Sequence, residues 1–191
     1  MKTKRPTLIA LAGMPGAGKS TFVSAIGRKW NLPVWYAGQP LLDECRRRGC
    51  PPTYANRMKA GQALGLFDPK QPLKFIAHSY AAMRQAHPLP ATVVFDSVRT
   101  LEELSFLRDR EPEVILVAVL LGRGERHRRL HRRDGSSWRA IRDRDLAEVG
   151  AAEIYGRRFN VGPLIALADC YYVTPPDEAG ATDPNLPDLK I

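Results

Sequence analysis

Cysteine is scarce in this chain of 191 residues. Its three cysteines, Cys45, Cys50 and Cys170, are an odd number without a Cys-x-x-Cys pair, which argues against a disulfide framework and against a zinc site. No apolar run approaches the roughly 18 residues needed to cross a bilayer. The apolar stretch at residues 8–12 is too short for the core of a signal peptide. We therefore expect a cytoplasmic protein without a membrane partner.

Acidic residues are also in short supply. The chain has 20 Asp and Glu residues against 29 Lys and Arg residues, for a net charge of +9. Residues 174–191 contain four of the acids and one lysine, which leaves +12 for residues 1–173. A positive field of this size attracts polyanions such as nucleotides, coenzymes or nucleic acids, and it does not choose among them.

Short apolar segments alternate with helical patterns along most of the chain. We predict strands at residues 7–12, 33–37, 92–96, 113–121 and 170–173, with helices between them. This alternation is typical of an α/β fold with a parallel sheet flanked by helices. We expect one domain over residues 1–173, followed at 174–191 by a proline-rich and flexible tail.

The strongest motif lies at residues 13–20, which read Gly-Met-Pro-Gly-Ala-Gly-Lys-Ser and match the full pattern GxxxxGK[ST]. Glycines let successive backbone N–H groups point at one anion, and the helix that follows adds its positive end. Lys19 can reach the β- and γ-phosphates of a nucleoside triphosphate, Ser20 can bind Mg²⁺, and Thr21 can contact the α-phosphate. The predicted nucleotide-binding residues are Gly13, Gly16, Ala17, Gly18, Lys19, Ser20 and Thr21.

A second candidate motif lies at the end of the predicted strand at 92–96. Asp96 ends this strand, as the Walker-B aspartate does when it holds Mg²⁺ beside a phosphate-binding loop. The next residue is Ser97, whereas motor-type ATPases commonly place a water-activating glutamate there. The sequence also has no NKxD guanine-recognition motif. Both absences favour a kinase over a motor ATPase or a switch GTPase.

Residues 123–144 contain nine arginines. Arg126, Arg129 and Arg133 share one face of a predicted helix, and we interpret residues 123–145 as a lid whose arginines offset the charge of a transferring phosphoryl group. A solvated basic face or a nucleic-acid surface is the alternative. The next predicted helix, residues 137–149, is expected to bury Trp138, Ile141, Leu146 and Val149.

About 55 residues separate the second and third predicted strands, too many for a simple crossover. We expect this insertion, residues 38–90, to bind the acceptor, with Tyr54 and Arg57 as candidate contacts. Arg99, three residues after Asp96, is either a ligand of an acceptor phosphate or a partner in a surface salt bridge with Glu102 or Glu103.

Taken together, three segments resemble archaeal nucleotide-kinase-like P-loop proteins related to dephospho-CoA kinase and adenylate kinase. They are residues 7–20, residues 95–103 (Phe-Asp-Ser-Val-Arg-Thr-Leu-Glu-Glu) and residues 165–169 (Ile-Ala-Leu-Ala-Asp). The resemblance implies a P-loop NTPase fold with a five-stranded parallel sheet, in which the strand of Asp96 lies beside the P-loop strand. It also implies ATP and Mg²⁺ as cofactors, and an acceptor held between the insertion and the arginine-rich lid.

The chain departs from dephospho-CoA kinases after the second predicted strand. Those enzymes carry an aspartate there that resembles a general base, whereas residues 36–40 contain no acid. The sequence therefore names no base and puts dephospho-CoA in doubt as the substrate. Bacteriophage kinases that phosphorylate 5-hydroxymethyluracil within DNA are also similar small P-loop proteins, and a DNA acceptor would account for the excess of arginine.

The sequence leaves two classes of function open. The first is an ATP- and Mg²⁺-dependent kinase that phosphorylates a hydroxyl of a nucleotide-type acceptor, either a free nucleotide or coenzyme or a hydroxymethylated base in DNA. The second is a nucleic-acid-associated ATPase or a regulator that has no acceptor hydroxyl. The oligomeric state is not encoded in any pattern that we recognise.

Overall fold

Strands and helices alternate along the chain in the computed structural model, which describes residues 6–89, 91–153 and 158–175. The strands are β1 (Leu8–Ala12), β2 (Val34–Tyr36), β3 (Val93–Asp96), β4 (Val114–Leu120) and β5 (Cys170–Val173). The helices are α1 (Lys19–Trp30), α2 (Gln39–Arg47), α3 (Tyr54–Ala63), α4 (Lys74–Ala86), α5 (Leu101–Arg108), α6 (Arg123–Asp134), α7 (Trp138–Glu148) and α8 (Val161–Ala166).

The five strands form one parallel sheet in the order β2-β3-β1-β4-β5. Leu11 of β1 pairs with Asp96 of β3, and Ala12 pairs with Ala118 of β4. Because parallel strands end at the same edge of a sheet, the loop after β1 and the Asp96 side chain lie together at that edge. The predicted α/β fold and the position of the Asp96 strand beside the P-loop strand are confirmed.

The central strand β1 is buried on both faces of the sheet. Alternate residues of a strand point to opposite faces, so Ile9 and Leu11 pack with Phe22 of α1, while Leu8 packs in a second core with Met83 of α4. Every residue of β1 has zero exposure. This two-sided burial explains why the strand reads as a continuous apolar run.

The insertion between β2 and β3 folds into the three helices α2, α3 and α4. Met58 of α3 and Ile76 of α4 belong to the same core as Leu8. Trp35 of β2 donates its indole N–H to the buried hydroxyl of Ser79 in α4, at 3.0 Å. The insertion is therefore packed against the sheet, and its inner surface faces the edge at which Asp96 lies.

Helix α7 differs from the sequence prediction. Ile141 is buried as expected, but Trp138, Leu146 and Val149 are 53%, 41% and 46% exposed, so their predicted inward orientation is wrong. The buried face of the helix carries the polar residues Asp145, Glu148 and Arg144 instead. These side chains find charged or aromatic partners inside the protein, and that compensation allows a polar face to point inward.

Part of the predicted tail lies outside the described residues, which end at Pro175. Thr174, which we predict as the start of a flexible segment, is buried: its N–H donates to the carbonyl of Leu120 at 2.9 Å. In the part of the chain that the structure describes, no helix is both long enough and apolar enough to cross a membrane.

A buried ion pair holds several of these elements at the other end of the sheet. The guanidinium of Arg84 donates twice to Glu111, at 2.7 Å each, and also to the carbonyls of Thr7, His87 and Ala91. The Glu111 side chain has no exposed surface. One side chain of α4 therefore ties the end of its own helix to the segments that precede β1, β3 and β4.

Replacing Glu111 by Ala should lower the free energy of unfolding by about 3–5 kcal/mol, because it leaves the Arg84 guanidinium buried without its counter-charge. Urea unfolding of both proteins measures this difference. Glu102→Ala, an exposed change in α5, is the matched control and should cost less than about 0.5 kcal/mol. Similar losses in the two variants would contradict the interpretation.

Candidate active site

The loop between β1 and α1 requires glycine at two points where it touches neighbouring backbone or side chains. A Cβ atom on Gly13 would lie 2.5 Å from the carbonyl oxygen of Val119 in β4. Gly18, the residue before α1, has a φ of 97°, and a Cβ atom on it would collide with the side chain of Thr174. A larger residue at either point would displace the loop, so both glycines keep it seated on the end of the sheet.

Lys19 folds back over this loop. Its Nζ donates to the carbonyls of Gly13 at 2.6 Å and Met14 at 3.3 Å. Burial lowers the pKa of the Lys19 ammonium, the nearby carboxylate of Asp96 opposes that shift, and Arg99 adds to it. Two carbonyl oxygens thus hold the ammonium at the loop, and the charges of Asp96 and Glu148 favour its protonated form.

Asp96 lies at the end of β3 and faces Lys19. Burial raises the pKa of its carboxyl group, against the attraction of Lys19 and Arg99. Its Oδ1 is buried and accepts no hydrogen bond from the residues that the structure describes. Ser20, in the first turn of α1, is exposed. A carboxylate oxygen and a hydroxyl are donors that suit Mg²⁺, so these two residues fit the predicted metal.

A cleft of about 1600 Å³ opens from the loop and extends between the insertion and helices α6 and α7. It brings together nearly all of the residues that the sequence analysis selected. They are Gly13, Gly16, Ala17, Gly18, Lys19, Ser20, Thr21, Tyr54, Arg57, Asp96, Arg99, Arg129 and Arg133.

The three predicted lid arginines do not share one role. Arg129 and Arg133 line the cleft. Arg129 donates to the carbonyl of Pro175 at 2.8 Å, and Arg133 pairs with Asp134 at 2.6 Å. Arg126 does not line the cleft, because its side chain is buried in the protein interior. Its position contradicts the prediction that it contacts the transferring phosphoryl group.

Arg126 connects α6, α7 and the loop. Its guanidinium makes two hydrogen bonds of 2.9 Å to the carboxylate of Asp145 in α7, and Nη1 also donates to the carbonyl of Pro15 at 3.0 Å. His127 approaches the same carboxylate, with Nε2 2.8 Å from Oδ2. This buried pair fixes both arginine-bearing helices to the phosphate-binding loop.

The predicted acceptor residues meet on one wall of the cleft. Arg99 pairs with Glu148 of α7 at 3.4 Å, a buried partner that neither sequence alternative named. The carboxylate of Glu103 instead accepts the backbone N–H of Arg99 at 2.8 Å. Arg57 donates to the hydroxyl of Tyr36 at 2.8 Å.

Several polar residues that line the cleft were not singled out by sequence reasoning, among them Tyr36, Arg144, Glu148 and Thr174. The guanidinium carbon of Arg144 lies 4.9 Å from the centre of the Tyr54 ring. Arg144 and Glu148 are four residues apart, so they share a helix face, and this spacing was the one available signal. Thr174, which donates to the carbonyl of Ala17 at 2.6 Å, carried no signal at all.

The sheet order and the loop at its edge define a P-loop NTPase-like fold. A Thermus thermophilus protein of known structure aligns with a TM-score of 0.55 and 21% identity over 92% of each chain. A shikimate kinase from Bacteroides thetaiotaomicron aligns with a TM-score of 0.54 and 16% identity over 87% of this chain and 85% of that one. At such low identity these similarities establish the fold alone.

No family model matches the chain, but its curated relatives do identify a family. It is 32% identical to a UPF0200 protein of Hyperthermus butylicus over 166 residues, which cover 85% of this chain and 82% of the relative. It is 30% identical to a UPF0200 protein of Methanocaldococcus jannaschii over 85% of this chain and 78% of the relative. The chain belongs to the UPF0200 family. These relatives support the archaeal resemblance and not the bacteriophage one.

The buried ion pair between Asp145 and Arg126 predicts that the stability of the protein falls as the pH is lowered. Burial acts to raise the pKa of Asp145, but hydrogen bonds from Arg126 and His127 outweigh it, so the pKa lies below its usual value. As the pH falls, the unfolded chain therefore takes up this proton before the folded protein does, and stability is lost.

Asp145→Asn should remove that contribution, so the free energy of unfolding should fall less steeply from about pH 6 to about pH 3 than in the wild type. Urea unfolding at several pH values gives the two slopes. Asp143→Asn, a half-exposed change on the same helix, should keep the wild-type slope. An unchanged slope in Asp145→Asn would refute the assignment.

Proposed function

We propose that this protein is a phosphotransferase that uses ATP and Mg²⁺ to phosphorylate a hydroxyl group of a small nucleotide-type acceptor. The observation that carries this proposal is the meeting of Lys19 and Asp96 at the phosphate-binding loop, at one end of a cleft that also contains arginine side chains. A protein that only binds a nucleotide would need the loop, but it would not need the additional arginine side chains in the cleft.

The residues divide the work of phosphoryl transfer. Lys19 and the loop N–H groups hold the donor phosphates. Ser20 and Asp96 would hold Mg²⁺, which supplies positive charge to the β- and γ-phosphate oxygens when bound. Arg129 and Arg133 stabilise the charge on the transferring group from α6. The half-buried Tyr54, Arg57 and Arg99 orient the acceptor.

The position of Asp96 also suits it to receive the proton of the acceptor hydroxyl. The Asp96 residue lines the cleft, its Oδ1 accepts no hydrogen bond from the described residues, and its raised pKa favours uptake of a proton. In contrast to motor-type ATPases, the chain has no glutamate after this aspartate that would activate a water molecule. Transfer to an acceptor is therefore a better match to these residues than hydrolysis.

The direct test is incubation with γ-labelled ATP, Mg²⁺ and a panel of nucleotides, dephospho-CoA, and plain or hydroxymethylated DNA at low salt. We expect label in one or more small acceptors. Label in DNA alone would move the proposal to a DNA-base kinase, and release of free phosphate under every condition would replace transfer with hydrolysis.

Lys19→Ala should reduce transfer at least about 100-fold, because the variant loses the cation that faces the donor phosphates. Lys29→Ala, at an exposed lysine of the same helix, is the control and should retain wild-type activity. Circular dichroism of both variants checks the fold. Wild-type transfer by a folded Lys19→Ala protein would overturn the proposal.

Asp96→Asn separates catalysis from stability. Because burial raises the pKa of Asp96, the ionised carboxylate works against folding as the pH rises above its unfolded-state value. The variant should therefore be at least as stable as the wild type at neutral pH while losing its Mg²⁺-dependent rate. Thermal unfolding and a Mg²⁺ titration of transfer measure the two effects, with the exposed change Asp109→Asn as control.

A further inference from the structure

Three guanidinium groups come together on the cleft wall formed by α3, the segment after β3 and α7. Arg57, Arg99 and Arg144 all line the cleft, and the charge of Arg99 acts on Arg144. Tyr36 and Tyr54 lie among them: Arg57 donates to the Tyr36 hydroxyl, and Arg144 packs over the Tyr54 ring. We call these five side chains the arginine-tyrosine cluster.

The cluster holds more positive than negative charge. Arg99 is paired with Glu148 at 3.4 Å, but neither Arg57 nor Arg144 forms an ion pair with any residue in the described part of the chain. The Nε atoms of both are buried without a hydrogen-bond partner among those residues. The carboxylate of Asp134 acts on both Arg57 and Arg144, but it is already paired with Arg133. Within the cluster, three guanidinium groups therefore face the single buried carboxylate of Glu148, which leaves an excess of two positive charges.

Such an arrangement is costly to the folded protein. Partly buried like charges lose hydration and repel one another. Burial and Arg99 hold the pKa of Arg144 below its usual value, against the opposing charges of Glu148 and Asp134. Elsewhere on α6 the arginines have local partners, such as Glu125 for Arg128 and Asp134 for Arg133. The excess of guanidinium groups over carboxylates is thus a feature of this wall.

We propose that the arginine-tyrosine cluster is a second anion-binding subsite, separate from the P-loop, that takes the phosphomonoester group of the acceptor. The excess of two positive charges in the cluster matches the charge of about −2 that a phosphomonoester carries at neutral pH. A phosphodiester of a DNA backbone carries one charge and fits less well. The tyrosine rings beside the guanidinium groups offer surfaces on which an aromatic base can stack.

This inference rests on the proposed function and names its substrate class: the acceptor already carries a phosphate of its own, as a nucleoside monophosphate does. An unphosphorylated sugar or nucleoside lacks the group that would neutralise the cluster. The cluster would therefore act as a filter for phosphorylated acceptors, and it would also bring the acceptor to a defined position relative to the P-loop.

Thermal unfolding with and without inorganic phosphate tests the subsite without any need for activity. In a Lys19→Ala background, in which phosphate binding at the P-loop is weakened, phosphate should still raise the melting temperature. Adding Arg144→Gln or Arg57→Gln should abolish most of that rise. Adding Arg139→Gln, at an arginine of α7 whose side chain is 86% exposed, should leave it intact.

The melting temperature in the absence of phosphate separates a binding role from a structural one. Removing one of these mutually repelling charges should leave the unliganded protein as stable as before or more stable, whereas removing a structural arginine should destabilise it. A lower melting temperature in Arg144→Gln together with an unchanged response to phosphate would overturn the subsite.

The acceptor panel provides the second readout. For any phosphorylated acceptor that receives label, Arg144→Gln and Arg57→Gln should raise KM for the acceptor about 10- to 100-fold, as expected for loss of a charged hydrogen bond, with KM for ATP unchanged. Equal transfer to a nucleoside and to its monophosphate would refute the filter. Stabilisation by phosphate without transfer to any acceptor would retain the subsite and reject the kinase.

Discussion

The opposite charges of Lys19 and Asp96 at the end of the sheet are the interaction on which the rest of the site depends. Burial makes each charge unfavourable, and each is partly compensated by the other. The pairing of Leu11 with Asp96 between β1 and β3 creates this arrangement, because it delivers the loop and the carboxylate to the same edge.

The walls of the cleft are attached to the loop by separate polar contacts. Arg126 and Asp145 tie α6 and α7 to the carbonyl of Pro15, and the hydroxyl of Thr174 donates to the carbonyl of Ala17. The loop therefore serves as the anchor for the segments that carry Arg129, Arg144 and Glu148. Anchoring of this kind limits the freedom of the binding groups and reduces the entropy lost when a ligand is bound.

The net charge of +9 also has a structural explanation. Many exposed arginines form local ion pairs, as Arg46 does with Asp43, whereas Arg57 and Arg144 lack one among the described residues. Exposed cations such as Arg28, Lys59 and Arg123 also lack an ion pair among the described residues, so the excess positive charge is shared between the surface and the cleft. Partial burial strengthens the attraction of the cleft guanidinium groups for an anion.

The α/β order of the elements and the phosphate-binding loop can be predicted from the chain alone, because both depend on local spacing: apolar runs, glycines at fixed offsets, and the lysine that opens a helix. Asp96 can be predicted in the same way, as the end of an apolar strand. Tertiary contacts were needed to show that Arg126 is buried away from the cleft, that α7 turns Asp145 and Glu148 inward and Trp138 outward, and that Arg144 joins Arg57 and Arg99. These roles depend on contacts between residues far apart in the chain, such as Arg99 and Glu148. Local sequence patterns do not show which side chains of a basic helix will make such contacts.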